Sequence, residues 1–210
     1  MGAKYSSDPE DPREFTRNFD SFYTRFAPLY SLLLSTVPIW LNWIDSALPY
    51  IVGPRVLEVS FGTGHLMERY ASRFDTWGID LNARMTRQAA GRLRRARLNA
   101  NLQIGDALAL PYANGLFNCV ISTMAFSGYP DGKQALREMR RVLAEEGRLV
   151  MVDVNFPADG NIAGRLLAKF WKASGDLIRD VPQAFEDIGW NCDDQEVGGY
   201  GSVHLYLAKK

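Results

Sequence analysis

The chain is poor in cysteine and histidine and carries no excess of charge, and each shortage removes a class of function. Its two cysteines, Cys119 and Cys192, form no CxxC pair, and each sits in an apolar or strand-like context. Both read as buried thiols of a reducing compartment. The two histidines, His65 and His204, stand far apart. No cluster has metal-ligand spacing, so no metal site is expected. Lys and Arg number 24, as do Asp and Glu, so the basic excess of a general nucleic-acid binder is missing. The longest apolar stretch, residues 30–43, is interrupted by Ser35, Thr36, Pro38 and Asn42. It falls short of the ~20 apolar residues that span a bilayer. The first 14 residues are polar, with two prolines and no apolar signal core, so a cytoplasmic location is expected.

What is present suits one globular domain over residues 1–210. Residues 1–13 read as a flexible or loosely attached tail. Residues 14–50 read as a helical lid of two or three helices, rich in aromatics (Phe15, Phe19, Phe22, Tyr23, Phe26, Tyr30, Trp40, Trp43) and punctuated by Pro28 and Pro38. From 51 to 210 short β-branched runs alternate with helical patterns. Strands are expected at 56–60, 76–80, 102–106, 117–123 and 148–154. Helices are expected within 62–73, at 82–98 and at 132–145, with another apolar stripe at Val181, Ala184, Phe185 and Ile188. Two last strands, near 190–197 and 202–208, are joined through Gly198, Gly199 and Gly201, a hairpin-like signal. The expected architecture is a Rossmann-like α/β fold. Its seven-stranded, mostly parallel sheet carries an antiparallel strand at one edge and helices on both faces.

Three positions carry chemistry. The first strand runs into a glycine loop, VLEVSFGTGHL at 56–66, where Gly62 and Gly64 permit a tight turn and close approach of a ligand. A dinucleotide fingerprint would place a third glycine at 67, where this chain has Met67, so a pyrophosphate site is disfavoured. The second strand ends at Asp80, whose carboxylate suits a ribose diol. Asp80 or Asn82 also suits the cap of the next helix. The third strand ends at Asp106, placed to accept from an adenine amine or to cap a loop. Together the loop and the two acids face one crevice at the carboxyl ends of the strands.

These residues resemble the class I S-adenosylmethionine-dependent methyltransferases. The broad group in view includes the ubiquinone/menaquinone C-methyltransferases and small phospholipid N-methyltransferases. The likeness rests on VLEVSFGTGHL, GIDLNARM (78–85), GDALALPYANGLFNCVIS (105–122) and ALREMRRVLAEEGRLVMVD (135–153). It implies S-adenosyl-L-methionine as cofactor. Glu58 and the backbone of Ser60, Phe61, Gly62 and Gly64 would hold its methionine part. Asp80 would bind the ribose, Leu81 would pack on the adenine, and Asp106 and Ala107 would read it. Thr123 and Met124 would line the path to the methyl group, and Tyr23 and Tyr30 of the lid would meet the amino-acid end. Two departures stand out. Ser60 replaces the family's usual glycine, and a serine is accommodated there if its φ stays negative. After the fourth strand, AFSGYPD (125–131) replaces a His-His pair found in many relatives.

No general base is evident, and no catalytic residue is assigned. Methyl transfer from an activated sulfonium draws much of its rate from positioning. His65 reads as a helix-start residue and His204 as structural. The Asn/Asp-Pro-Pro-aromatic motif of nucleic-acid adenine methylases is missing, since that position reads STMAF (122–126). Six arginines on helix 82–98 (Arg84, Arg87, Arg92, Arg94, Arg95, Arg97) make a solvated face or a patch for an anionic surface. The aromatic segment 22–33 resembles the opening of lipid- and quinone-methylating relatives. The expected substrate is a small hydrophobic or lipid-like acceptor, with peripheral membrane contact. The rival readings are a non-catalytic adenosyl-binding protein and a nicotinamide-dependent oxidoreductase.

Overall fold

Short apolar runs bounded by turns become the strands of one sheet. The computed structural model describes residues 4–18, 21 and 38–210. Its strands are β1 (Arg55–Val59), β2 (Asp75–Asp80), β3 (Asn101–Ile104), β4 (Phe117–Thr123), β5 (Leu143–Val154), β6 (Asp193–Gly198) and β7 (Val203–Lys209). They lie in the order β3-β2-β1-β4-β5-β7-β6. β1 to β5 pair in parallel, and β7 runs antiparallel to both β5 and β6. The antiparallel strand therefore lies one place in from the sheet edge, with β6 outside it. From β1 the chain steps outward through β2 and β3, then returns to the other side of β1 with β4. That reversal opens a crevice beyond the carboxyl ends of β1 and β4.

Strand residues alternate between two buried faces. Leu57, Val59 and Val120 enter one core, with Ala135, Leu136 and Met139 of helix α5 (Gly132–Val142). Val56, Cys119 and Ile121 enter the other, with Leu66, Met67 and Tyr70 of α3 (His65–Tyr70) and Ala89 and Leu93 of α4 (Ala83–Arg95). Burial on both faces is why β1, β4 and β5 read as continuous apolar runs instead of alternating ones.

Two departures from the sequence reading have a packing cause. Helix α5 stops at Val142, three residues before the expected end, and Leu143 turns extended to pair with Phe117. Both side chains are fully buried, so sheet pairing overrides helix propensity there. A helix that the periodicity did not reveal, α6 (Ile162–Ala173), follows β5. After it comes α7 (Val181–Glu186).

At the N-terminus, residues 12–18 are helical (α1). The tail is tied to the rest of the fold: Ser6 donates its N–H to the Ile178 carbonyl (2.7 Å), Arg179 holds Asp8 (2.9 Å), and Tyr5 packs on Phe156. Of the expected lid, 14–18, 21 and 38–50 are described. Helix α2 (Pro38–Asp45) docks on α3 through Asp45, which meets His65 at 3.2 Å and Arg69 at 2.8 Å.

Candidate active site

The crevice is built by four loops that follow β1, β2, β3 and β4. It is lined by Glu58, Ser60, Phe61, Gly62, Asp80, Leu81, Asp106, Ala107, Thr123 and Met124, together with Thr16 and Ile44 of the N-terminal helices. Of the site residues expected from sequence, Tyr23 and Tyr30 lie outside the described residues. Gly64 faces elsewhere. A Cβ there would come within 2.9 Å of the Ala89 Cβ on α4, so this glycine serves helix packing behind the loop. Gly62 has φ +55°, and a Cβ built on it meets nothing within 4 Å. Its surroundings are open on the cleft side.

Asp80 and Asn82 divide the tasks that the sequence left open between them. Asn82 caps α4, its side chain accepting from the N–H groups of Arg84 and Met85. Asp80 instead ties two loops together. One carboxylate oxygen accepts from Gly62 N–H and the other from Asn82 N–H, both at 2.8 Å. An ionised carboxylate accepts at about four sites in all. Asp106 accepts from Leu108 N–H at 2.9 Å and remains exposed. Leu81 is 43% exposed although apolar, which places a greasy surface beside two acids.

Ser60 corrects an expectation. Its φ is +58°, not negative, so the chain places a serine where the left-handed conformation favours glycine. Met124 repeats the pattern at φ +52°. Such conformers cost ~1–3 kcal/mol each and persist when neighbours over-determine them. The N–H groups of Ser60 and Met124 are held by the Ile79 and Val152 carbonyls, each at 2.7 Å, and Ser60 has a further partner in Tyr129. The Tyr129 hydroxyl donates to the Ser60 Oγ at 3.0 Å and meets the Ser122 Oγ at 3.2 Å. Sequence reading missed Tyr129, because nothing local links it to a residue 69 positions away.

The loop at 125–130 is held equally firmly. Asp153, at the end of β5, accepts from Phe126 N–H at 2.6 Å and Val154 N–H at 2.8 Å. Buried Arg179 donates to the carbonyls of Phe126, Tyr129 and Pro130. Ser127 donates its hydroxyl to Asp176 at 2.9 Å. Burial, then the charge of Asp153, pushes the Asp176 carboxyl up to about 6. The acid at the end of the fifth strand is the one sequence signal that points to this brace.

Glu58 is strongly perturbed by its burial in the cleft. It is buried, and Tyr70 donates to it at 3.0 Å. Loss of water pushes its carboxyl up to about 8, the Tyr70 bond opposing and the charge of Asp80 adding to the rise. The folded chain therefore holds this proton more tightly than the unfolded chain does. Its stabilising contribution is complete below pH 4.5 and is lost as pH rises through 8. Glu58→Gln keeps an acceptor for Tyr70 and removes the charge. We expect it to match wild type in urea unfolding at about pH 4.5. At about pH 8.5 it should be the more stable by an amount on the order of a few kcal/mol. Equal stability at both pH values would contradict the assignment.

The cleft encloses about 170 Å3 and is open at its mouth. Three carboxyl groups line it, and among the described residues no Lys, Arg or His does. With no cation on the wall to neutralise a pyrophosphate, the lining disfavours that ligand. His65 is engaged with Asp45, and His204 with Asp194 at 2.7 Å. Among the described residues, no group of three His, Cys, Asp or Glu side chains is arranged to hold a metal. No helix among them is long and apolar enough to cross a membrane.

Residues 56–147 match a family model described as a methyltransferase domain. A demethylmenaquinone methyltransferase of Mycobacterium marinum is 30% identical over 201 residues, 95% of this chain and 78% of that protein. Another, of Deinococcus radiodurans, is 31% identical over 159 residues, 71% and 66% of the two chains. The chain spans about two thirds of the length of several such relatives. Among solved structures, a possible histamine N-methyltransferase from Thermotoga maritima superposes with TM-score 0.73 at 16% identity, over 91% of this chain and 99% of the other. The (4+2)-cyclase SpnF superposes with TM-score 0.79 at 17% identity, over 98% of each chain. At such identities the two structures speak to the fold alone.

Proposed function

The chain belongs to the class I S-adenosylmethionine-dependent methyltransferases, and we propose that it methylates a small hydrophobic, lipid-like acceptor of the quinone type. The observation that carries the cofactor site is the carboxylate of Asp80, fixed at the switch point beside the open space over Gly62. In this reading Asp80 accepts from the ribose hydroxyls, and Leu81 and Ala107 pack on the adenine. Asp106 accepts from its amine. Glu58 and the 60–62 backbone hold the methionine end, where an arriving ammonium would favour loss of the Glu58 proton to water and pair with the carboxylate left behind. The cofactor, when bound, supplies an activated methyl group. The protein's part is to orient the acceptor and exclude water.

The acceptor side is lined by Met124, Ala125, Gly128, Tyr129 and Pro130. None carries a charge, and burial raises the Tyr129 hydroxyl well above its ordinary range. That wall supports an apolar acceptor, as do relatives named for demethylmenaquinone. Among the described residues, none on this wall is poised to take a proton at neutral pH. An acceptor that activates itself, such as an electron-rich hydroquinone, fits this best.

The test is calorimetric titration with S-adenosylhomocysteine, with NADH as control, followed by mass-spectrometric detection of methyl transfer. The transfer assay offers a short-chain demethylated naphthoquinol and, in parallel, histamine as a polar acceptor. Micromolar binding of the first ligand alone, with methylation of the quinol, is the expected result. Methylation of histamine in preference to the quinol would overturn the acceptor class. Binding of NADH instead would overturn the cofactor.

A further inference from the structure

Helix α6 presents apolar side chains to solvent along one line. Ile162, Leu166 and Phe170 recur at a spacing of four and are 76%, 62% and 60% exposed. Side chains so spaced lie one above another on a helix face. A solvent helix normally turns such a stripe inward. Here the opposite face is already committed. Gly164 and Ala168 are buried, and Trp171 packs against Trp40 at 5.3 Å. A Cβ on Gly164 would collide with the Tyr200 carbonyl, so the helix is pressed onto the fold and cannot roll its outer stripe inward.

The charge carried by α6 itself is of one sign, and the exposed acid nearest the stripe in sequence, Asp159, precedes the helix and accepts from Asn161 N–H at 2.8 Å. Arg165, Lys169 and Lys172 follow the stripe along the next strip of the helix surface, and α6 contains no acidic residue. Lys172 donates to the Lys4 carbonyl at 3.4 Å, bringing a fourth cation to the same end. An apolar stripe edged by cations is complementary to an anionic bilayer surface, whose acyl boundary takes the apolar side chains and whose headgroups take the cations. The inner side of α6 also reaches the cleft. Ala168 and Trp171 share a cluster with Met124, which lines it.

We propose that the outer face of α6 docks the protein on anionic membrane surfaces, through Ile162, Leu166 and Phe170 with Arg165 and Lys169 beside them. The docked face lies behind the acceptor wall of the cleft. This deepens the reading of a lipid-like acceptor and rests on it for its purpose, though the docking itself is measured separately.

The experiment is co-sedimentation of the full chain with vesicles of phosphatidylcholine, or of equal parts phosphatidylcholine and phosphatidylglycerol, at low and high salt. S-adenosylhomocysteine calorimetry is run on the same samples. Wild type should pellet with the anionic vesicles and be released by salt. A variant with Ile162, Leu166 and Phe170 all changed to Ser should lose at least tenfold in vesicle affinity. Arg165→Gln with Lys169→Gln should lose the preference for anionic lipid. Both variants should keep wild-type cofactor affinity, because none of these residues lines the cleft. Wild type that stays in the supernatant, or a serine variant that pellets equally well, overturns the proposal. So does a concentration-dependent dimer abolished by the serine variant without any vesicle binding, since the stripe would then meet a second copy. Cofactor binding without vesicle binding defeats the docking alone. Vesicle binding without cofactor binding defeats the cofactor assignment instead.

Discussion

Replacing Gly62 by valine is expected to abolish cofactor binding while leaving the fold intact. Gly62 holds φ +55°, a conformation that a β-branched residue adopts only under strain of ~1–3 kcal/mol. For a domain of this size that lowers the melting temperature by roughly 2–12 °C. The chain nevertheless has nowhere to clash, because a Cβ at this position meets no atom within 4 Å. The valine methyls instead occupy the space beside Asp80 in which the proposed ligand must lie. A loss beyond hundredfold in S-adenosylhomocysteine affinity is expected, which is more than about 2.7 kcal/mol. Calorimetry together with thermal melting separates the two effects. Gly62→Ala, with a smaller side chain, should fall between wild type and valine in both. A valine variant that melts slightly lower yet binds normally would show that the loop is only a turn.

Asp80→Ala should weaken the same titration by roughly five- to 150-fold, from ~1–3 kcal/mol of charge-assisted hydrogen bonding. Two causes act together. The proposed ribose acceptor is removed, and the N–H groups of Gly62 and Asn82 lose the oxygens to which they donate at 2.8 Å. Asp80→Asn helps to distinguish them. Its one carbonyl oxygen accepts from one loop but cannot serve both loops and a ribose as well, so it should recover stability more fully than affinity. If alanine at this position binds as tightly as wild type, the ribose assignment fails, whatever happens to the melting temperature.

Much of this site is legible in the amino-acid sequence. Gly62, Asp80 and Asp106 stand out because each lies where a strand ends, and strand ends are marked by local signals: a β-branched run, then a turn residue. Other features need the third dimension. The positive φ of Ser60 cannot be read locally, because the groups that hold Ser60, the Ile79 carbonyl and Tyr129, are distant in the chain. Helix α6 escapes a reading by periodicity because it is apolar on two faces, one packed and one open, so no single stripe stands out from its sequence. The end of α5 falls short of its expected place because a buried partner in β4 claims Leu143 for the sheet.

The sequence by itself determined the alternation of strands and helices, the glycine loop and its following acids, and the scarcity of metal ligands. All of these are written in turn chemistry and in periods of two or 3.6 residues. Only the tertiary structure decided which strand lies beside which, with β7 inserted between β5 and β6. It also decided that Asp80 joins two loops while Asn82 caps the helix, and that the apolar stripe of α6 faces outward. These depend on contacts between residues distant in the chain. Their partners are chosen by packing on a common sheet, and no local pattern encodes that choice.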